Sequence, residues 1–212
     1  MLFTILLAAR RCLKNTMTLD TLKESVQDCQ ACNLHLCRER VTFGEGCVSS
    51  PKVMFISDAP SEGDEASNHL LTDEVGLKFN EMLAFLDLDR DQVYVTNAVL
   101  CRPPNDRQPH MEEISACRGR LIGEIRLVNP GLIVVLGRTA MKALLGYEFS
   151  GPLQQFMEDG TFLKIESGEQ EYLAAVVASP NYHIRNPRMA RKLTGKMWQA
   201  IRKQVSEKKV II

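Results

Sequence analysis

Four of the seven cysteines in this sequence are spaced in a way that suits a metal centre. Cys29 and Cys32 form a Cys-x-x-Cys pair, and Cys101 and Cys117 follow much later in the chain. The close spacing of the first pair lets both sulfurs reach one centre from a single turn, while the distant pair ties remote segments to it. Four thiolates suit either a zinc ion or an iron–sulfur cluster, and spacing alone does not distinguish them. Ordinary buried thiols are the alternative, because free cysteine often packs as a small apolar residue.

Polar side chains also follow three apolar runs that we expect to be strands. These residues are Asp58 with Ser61, Asn97 with Cys101, and Ser179 with Asn181. In parallel α/β sheets, ligand sites form beyond the carboxyl ends of the strands. We therefore predict that these three loops converge on one pocket.

The elements that must position these residues alternate between strand and helix. Short apolar runs predict strands at 52–57, 93–99, 132–136, 162–165 and 173–178. Helical spacing of apolar residues predicts helices at 19–27, 77–86, 111–128, from about 138 to 145, and 188–205. Helices of this length between strands favour right-handed crossovers and a parallel sheet covered on both faces. The sequence thus predicts an α/β domain with three αβα layers.

Length and composition limit the remaining possibilities. A chain of 212 residues supports one substantial core, so we expect a single domain over residues 17–212. The 26 basic and 26 acidic side chains cancel, so any DNA-binding surface must be local. An odd number of cysteines and no convincing export signal argue against a disulfide framework, and we expect a cytoplasmic location.

The first nine residues, MLFTILLAA, form an apolar run that Arg10 and Arg11 follow. The run is shorter than the roughly 20 residues needed to cross a bilayer. Its charge follows the apolar stretch, whereas a signal peptide places its charge before it. We expect residues 1–16 to be a disordered extension and expect no membrane association.

Several segments of this sequence resemble family 4 uracil-DNA glycosylases in order and spacing, over roughly residues 29–200. They are CQACNL, VTFGEG, KVMFISDAP, VYVTNAVLCRPPNDRQP, LIVVLGRTA and NYHIRNP. The resemblance implies a DNA glycosylase with a central four-stranded, mainly parallel sheet. It also implies a structural, DNA-positioning 4Fe-4S cluster rather than zinc, with Cys29, Cys32, Cys101 and Cys117 as ligands. DNA would be the partner of a monomer that needs no obligate protein partner.

Two residues match functional positions of that family. Asn97 matches the asparagine that reads the base, and its amide can both donate to and accept from a Watson–Crick edge. Asp58 stands where the family motif GEAPG has its glutamate, since this chain reads SDAPS. A carboxylate suits a reaction that develops positive charge on the sugar. The alternatives are a turn or cap residue at Asn97 and a turn cap at Asp58.

Other positions depart from the family pattern. Leu71 replaces a phenylalanine that stacks on uracil, and Ser179 replaces a catalytic histidine. Ser57 and Ser61 replace glycines. His183 comes too late in the chain to substitute for that histidine, and we expect it to be a loop residue.

These departures remodel the pocket towards a larger and more polar base than uracil. Our hypothesis is a modified pyrimidine, for example the hydroxymethylated or glucosylated cytosine of phage DNA, excised in antiviral defence. The alternatives are a conventional uracil-DNA glycosylase of base-excision repair and a catalytically inactive DNA-binding relative. A zinc-stabilised α/β protein unrelated to DNA is the remaining reading.

The expected DNA contacts lie near the end of the chain. Ile184 and Arg185 match the family loop that enters the duplex, where an apolar side chain fills the vacated stack and an arginine meets phosphate.

Overall fold

The computed structural model describes residues 17–146, 154–167 and 170–207. The extension predicted for residues 1–16 lies outside these ranges. None of the helices in the described ranges combines the length and apolar character needed to cross a membrane.

The described residues form one six-stranded sheet with the spatial order β1-β3-β2-β4-β6-β5. The strands are β1 (Glu45–Gly46), β2 (Val53–Ser57), β3 (Val93–Asn97), β4 (Ile133–Leu136), β5 (Leu163–Ser167) and β6 (Gln170–Val177). The four central strands are mutually parallel, which confirms the predicted four-stranded parallel core. The outer strands β1 and β5 pair antiparallel and extend the sheet at both edges.

The central strands are buried on both faces because helices cover both sides. All residues of β2, β3 and β4 are buried, as expected for continuous apolar runs in a parallel sheet. The parallel register pairs Ser57 at the end of β2 with Asn97 at the end of β3. Two candidate site residues thus lie side by side at one edge of the sheet.

Eight helices accompany the sheet in the described ranges. They are α1 (Leu19–Val26), α2 (Glu62–Ser67), α3 (Asp73–Phe85), α4 (Met111–Val128), α5 (Arg138–Leu145), α6 (Gln155–Glu158), α7 (Pro180–Arg185) and α8 (Pro187–Glu207). Buried residues of α1, α4 and α5 share one apolar core with one face of the strands. Those of α3 and α8 share a second core with the other face, so the predicted three-layer αβα arrangement is confirmed.

Two segments predicted as loops are helical. In the polar stretch after β2, Ser61 caps α2 by accepting from the Asp64 backbone N–H, and the Asp64 side chain accepts in return from the Ser61 N–H. This reciprocal capping stabilises a helix start that apolar periodicity does not reveal. Ser179 caps α7 in the same region of the fold, with Pro180 at its first position. The loop predicted around Ile184 and Arg185 is therefore wrong, because both residues lie in α7.

Candidate functional site

A cavity of about 300 Å³ lies beyond the carboxyl ends of β2 and β6. Six of the predicted site residues line it: Ser57, Asp58, Ser61, Leu71, Ser179 and Arg185. Asn181 also lines it, so the loops after these two strands converge as expected. Asn97 does not line this cavity, but it is the neighbour of Ser57 in the parallel register of β2 and β3.

Asp58 is fixed between the sheet and the start of α5. Its Oδ1 accepts a hydrogen bond from the Ala140 backbone N–H at 3.1 Å. Burial raises the pKa of Asp58 to about 6, against the opposing effect of hydrogen bonds from Ala140 and Thr139. The carboxyl therefore caps the start of α5 rather than the turn after its own strand, and it also lines the cavity. A carboxylate that titrates near neutral pH is suited to act as a general base or to stabilise a developing cation.

Gly137 allows the walls of this site to approach each other. Its φ of +103° lies in a region that favours glycine. A Cβ atom there would lie 3.5 Å from the Ser179 Cβ and 3.7 Å from Asp58 Oδ1. A side chain at this position would add strain and occupy the space where the carboxylate and the hydroxyl meet.

Asn97 has a buried amide without a partner. The residue is only 1% exposed, and neither its Oδ1 nor its Nδ2 has a hydrogen-bond partner. Its backbone carbonyl, in contrast, accepts from Arg120 Nη2 at 2.8 Å. Burying polar atoms without partners costs free energy, so such a group calls for an explanation. An amide kept for a ligand that supplies both a donor and an acceptor would provide one.

Leu71 forms an apolar part of the cavity wall in a strained conformation. Its φ is +53°, and it is 5% exposed. Left-handed backbone at a residue other than glycine costs on the order of 1–3 kcal/mol and clusters at functional sites.

The hydroxyl groups of the cavity also have structural roles. The Ser179 Oγ accepts from the Tyr182 backbone N–H at 3.3 Å, and the Ser61 Oγ accepts from the Asp64 N–H at 3.1 Å. Each hydroxyl keeps its own proton for donation to a ligand. Ser57 is buried at the end of β2.

Several wall residues with polar side chains were not predicted as site residues. Arg107, Gln108 and Tyr182 line the cavity, and Arg107 is held by Glu113 through contacts of 2.9 and 2.6 Å. Arg107 and Gln108 lie in the segment CRPPNDRQP, and Tyr182 lies in NYHIRNP. The family resemblance of these two segments could have indicated that their polar residues belong to the site.

A second cavity of about 410 Å³ adjoins the first. The two cavities share Asp58, Gln108, Ser179 and Tyr182. Arg138 and Gln154 line only the second one. The shared walls give the site more room than either cavity alone.

His183 was expected to be a loop residue, but it lies in α7 together with the predicted DNA contacts Ile184 and Arg185. Arg185 is exposed at the cavity, and Ile184 is half-buried. His183 lies in a separate groove with Lys78 and Trp198. Burial lowers the pKa of His183 to about 4, and Lys78 adds to this effect. The imidazole is therefore neutral at pH 7 and lies outside the wall that contains Asp58.

The four predicted metal ligands come from distant segments, and two arginines contact three of them. Arg38 Nη1 donates to the Cys29 carbonyl at 2.8 Å and to the Cys101 Sγ at 3.3 Å. Arg120 Nη2 lies 3.8 Å from the Cys117 Sγ.

The cysteine thiols also influence each other's ionisation. Burial raises the pKa of Cys101 to about 11, with smaller increases from Cys117 and Cys32 and opposition from Arg38. Burial likewise raises the pKa of Cys32, with contributions from Cys117 and Cys29. Cys101 and Cys32 therefore lie within electrostatic reach of other members of the predicted ligand set. Cys37 and Cys47 are free thiols in the described ranges.

Comparisons with known proteins point to one family. A sequence model of the uracil DNA glycosylase superfamily matches residues 43–202. A type-4 uracil-DNA glycosylase from Thermotoga maritima is 31% identical over 168 residues, covering 78% of this chain and 80% of that protein. The type-4 enzyme of Sulfurisphaera tokodaii is 36% identical over 137 residues, covering 63% of this chain and 62% of the relative. A type-5 uracil-DNA glycosylase from Pyrobaculum aerophilum is 43% identical over 53 residues.

Proposed function

We propose that this chain, which belongs to the uracil-DNA glycosylase superfamily and is a DNA glycosylase that hydrolyses N-glycosyl bonds, excises a modified pyrimidine larger than uracil. Hydroxymethylated or glucosylated cytosine in phage DNA is the proposed substrate, and antiviral defence the proposed role. The observation that carries base recognition is the buried, unpartnered amide of Asn97, and the hydroxyl-lined wall with its adjoining cavity favours a base larger than uracil. No protein group fixes the orientation of the Asn97 amide, so the amide can present a donor or an acceptor to a cytosine edge.

The cavity supports a base larger than uracil in two respects. Ser57, Ser61 and Ser179 place hydroxyl groups in its wall, and these can hydrogen-bond to a polar substituent. The adjoining second cavity, about 410 Å³ in volume, offers further space beside Asp58 and Ser179.

The proposed reaction begins when the target nucleotide leaves the stack and enters the cavity. The base passes the wall residue Ser57, which pairs with Asn97 in the sheet, and the Asn97 amide then binds its Watson–Crick edge. The bond between C1′ and the base nitrogen breaks, and its electron pair leaves with the base. The Asp58 carboxylate stabilises the positive charge on the sugar and orients a water molecule, whose oxygen bonds to C1′. The water proton is transferred towards the departing base, and the Ser179 hydroxyl donates to the charge that develops on it.

Cys29, Cys32, Cys101 and Cys117 are the proposed ligands of a 4Fe-4S cluster. Four thiolates suit such a cluster, and the hydrogen bond from Arg38 to the Cys101 Sγ suits an anionic ligand sulfur. A bound cluster would supply structural cross-linking, and the chain's own residues would carry out the base excision.

Uracil is the second candidate substrate. Two observations favour it: the relatives carry the name type-4 uracil-DNA glycosylase, and the free amide of Asn97 can equally bind a uracil edge. Excision of uracil would place the protein in base-excision repair.

The two candidates are separated by counting abasic sites after incubation with two substrates. One is DNA that contains uracil, and the other is phage DNA that contains glucosylated hydroxymethylcytosine. Sites in the modified DNA alone would support the modified-pyrimidine proposal, and sites in the uracil DNA alone would overturn it in favour of repair. Binding without abasic sites in either DNA would support the inactive relative. Asp58→Asn should lose the activity, while the exposed Asp91→Asn serves as the matched control.

A further inference from the structure

The strained wall residue Leu71 is held in place by charged side chains from distant parts of the chain. We propose that Arg90 and Asp64 are positioning residues that keep Leu71 in its left-handed conformation and thereby set which bases the cavity admits. The role in base selection rests on the proposed function. The role in holding the wall rests on the contacts alone.

Arg90 hydrogen-bonds to the backbone carbonyls on both sides of the Leu71 Cα atom. Its Nη1 donates to the Leu70 carbonyl at 2.8 Å and its Nη2 to the Leu71 carbonyl at 2.6 Å. The guanidinium is itself fixed, because its Nε donates to Asn80 Oδ1 at 2.9 Å and its Cζ lies 5.0 Å from the centre of the Phe79 ring. Two parallel bonds from a rigid planar group define the direction of both carbonyls.

Asp64 holds the next residue and connects it to the other side of the cavity. Its Oδ1 accepts from the Thr72 backbone N–H at 2.9 Å and from the Thr72 hydroxyl at 2.7 Å. Its Oδ2 accepts from the Ser61 N–H at 3.1 Å. Asp64 is 3% exposed, so one buried carboxylate fixes two walls of the cavity relative to each other.

Glu45 completes the arrangement on the amino-terminal side. Its Oε1 accepts from the Leu70 backbone N–H at 2.8 Å. Gly76 leaves no room for the wall to move towards α3, since a Cβ there would lie 2.1 Å from the Leu71 carbonyl oxygen. The segment 70–72 is therefore held from several sides in a conformation that its own residues disfavour.

The position of Leu71 matters for base selection because it separates two spaces. Among the residues that the structure describes, it alone lines both the 300 Å³ cavity and a 530 Å³ cavity behind it. A wall released from Arg90 would relax towards an ordinary backbone conformation and withdraw the Leu71 side chain. The cavity would then discriminate less between bases of different size.

The experiment compares Arg90→Gln and Arg90→Lys with the control Arg202→Gln on α8. For oligonucleotides that carry 5-hydroxymethylcytosine or its larger glucosylated form, kcat and KM are measured separately. We expect Arg90→Gln to change the kcat/KM ratio of the two substrates by about 10-fold, mainly through KM. Arg90→Lys should restore part of it, and the control should stay within about twofold of the wild type.

Coupling to Leu71 distinguishes positioning from general stability. In a Leu71→Gly background, where no side chain forms the wall, Arg90→Gln should leave the substrate ratio unchanged. Additive effects in the two backgrounds, or a lowered Tm with an unaltered ratio, would overturn the role in selection.

Hydrogen exchange tests whether Arg90 holds residues 70–72 and does not require base excision. Amides 70–72 should exchange faster in Arg90→Gln than in the wild type. An unchanged exchange rate would show that the hydrogen bonds from Arg90 do not hold this segment. Should the wild type release neither base, the proposed function and the role in selection both fail, while hydrogen exchange still decides whether Arg90 holds the wall.

Discussion

The behaviour of single residues in this site follows from burial. Asp58 and Asn97 both have polar groups that lie largely out of water, yet only Asp58 is held by hydrogen bonds from the protein. One group is thus prepared to change its charge near neutral pH, and the other is free to bind an incoming partner. These two properties lead to different predictions.

Asp58→Asn should stabilise the protein and abolish its activity. Folding raises the pKa of this carboxyl from 3.8 to about 6, so the folded state prefers the protonated form. The contribution of this one group to the free energy of unfolding is therefore highest below about pH 4 and is lost as pH rises to about 6, where the group ionises in the folded state. At pH 7 we expect the free energy of unfolding of Asp58→Asn, measured in urea, to exceed that of the wild type by about 1–2 kcal/mol. The same variant should have no detectable base release, and wild-type kcat should rise with pH through about 6.

Asn97→Leu should separate ligand binding from stability even more clearly. A buried amide without partners contributes a cost, so an apolar side chain of similar shape should leave the Tm unchanged or raised. Base release should fall by at least about 100-fold, because a buried base edge loses both of its hydrogen bonds. A large drop in Tm would instead mean that Asn97 has a structural role.

At the level of elements, the sequence predicted what apolar periodicity encodes and missed what polar contacts encode. The long helices and the strands β2 to β6 were predicted within a few residues, because their burial repeats regularly along the chain. The short strand β1 and the short helix α6 were not predicted. The helices α2 and α7 were missed, since Ser61 and Ser179 define them through caps rather than through apolar faces. The left-handed Leu71 was also beyond prediction, because Arg90 and Asp64 hold it from outside its own segment.

Ser179→His tests whether α7 was remodelled for specificity or lost its function. The variant returns an imidazole to the position where the resembling family has its catalytic histidine. It should raise uracil release by about 100-fold, since a donor to the leaving base is restored. It should also lower stability by about 1 kcal/mol, because the Ser179 cap on α7 is lost. Unchanged uracil release would indicate that other parts of the wall exclude uracil.

For the whole molecule, a net charge of zero means that contact with DNA depends on local positive charge. Arg185 is exposed at the cavity, and no acidic side chain of the described residues pairs with it in the way that Glu113 pairs with Arg107. Arg185→Gln should weaken DNA binding and reduce the slope of log Kd against log salt by about one. Arg202→Gln, on the far end of α8, should leave that slope unchanged.

The four cysteines connect parts of the molecule that the sheet does not. Cys29 and Cys32 follow α1, Cys101 follows β3, and Cys117 lies in α4, so a shared cluster would cross-link the amino-terminal segment to one layer of the fold. We expect the purified protein to be brown and to contain iron rather than zinc. Cys101→Ser should lose the colour and lower the Tm, while the exposed Cys37→Ser should keep both. A colourless wild-type protein with one zinc per chain would indicate a zinc site in place of the cluster. The cross-link between these segments would remain, since either centre joins the same four sulfurs.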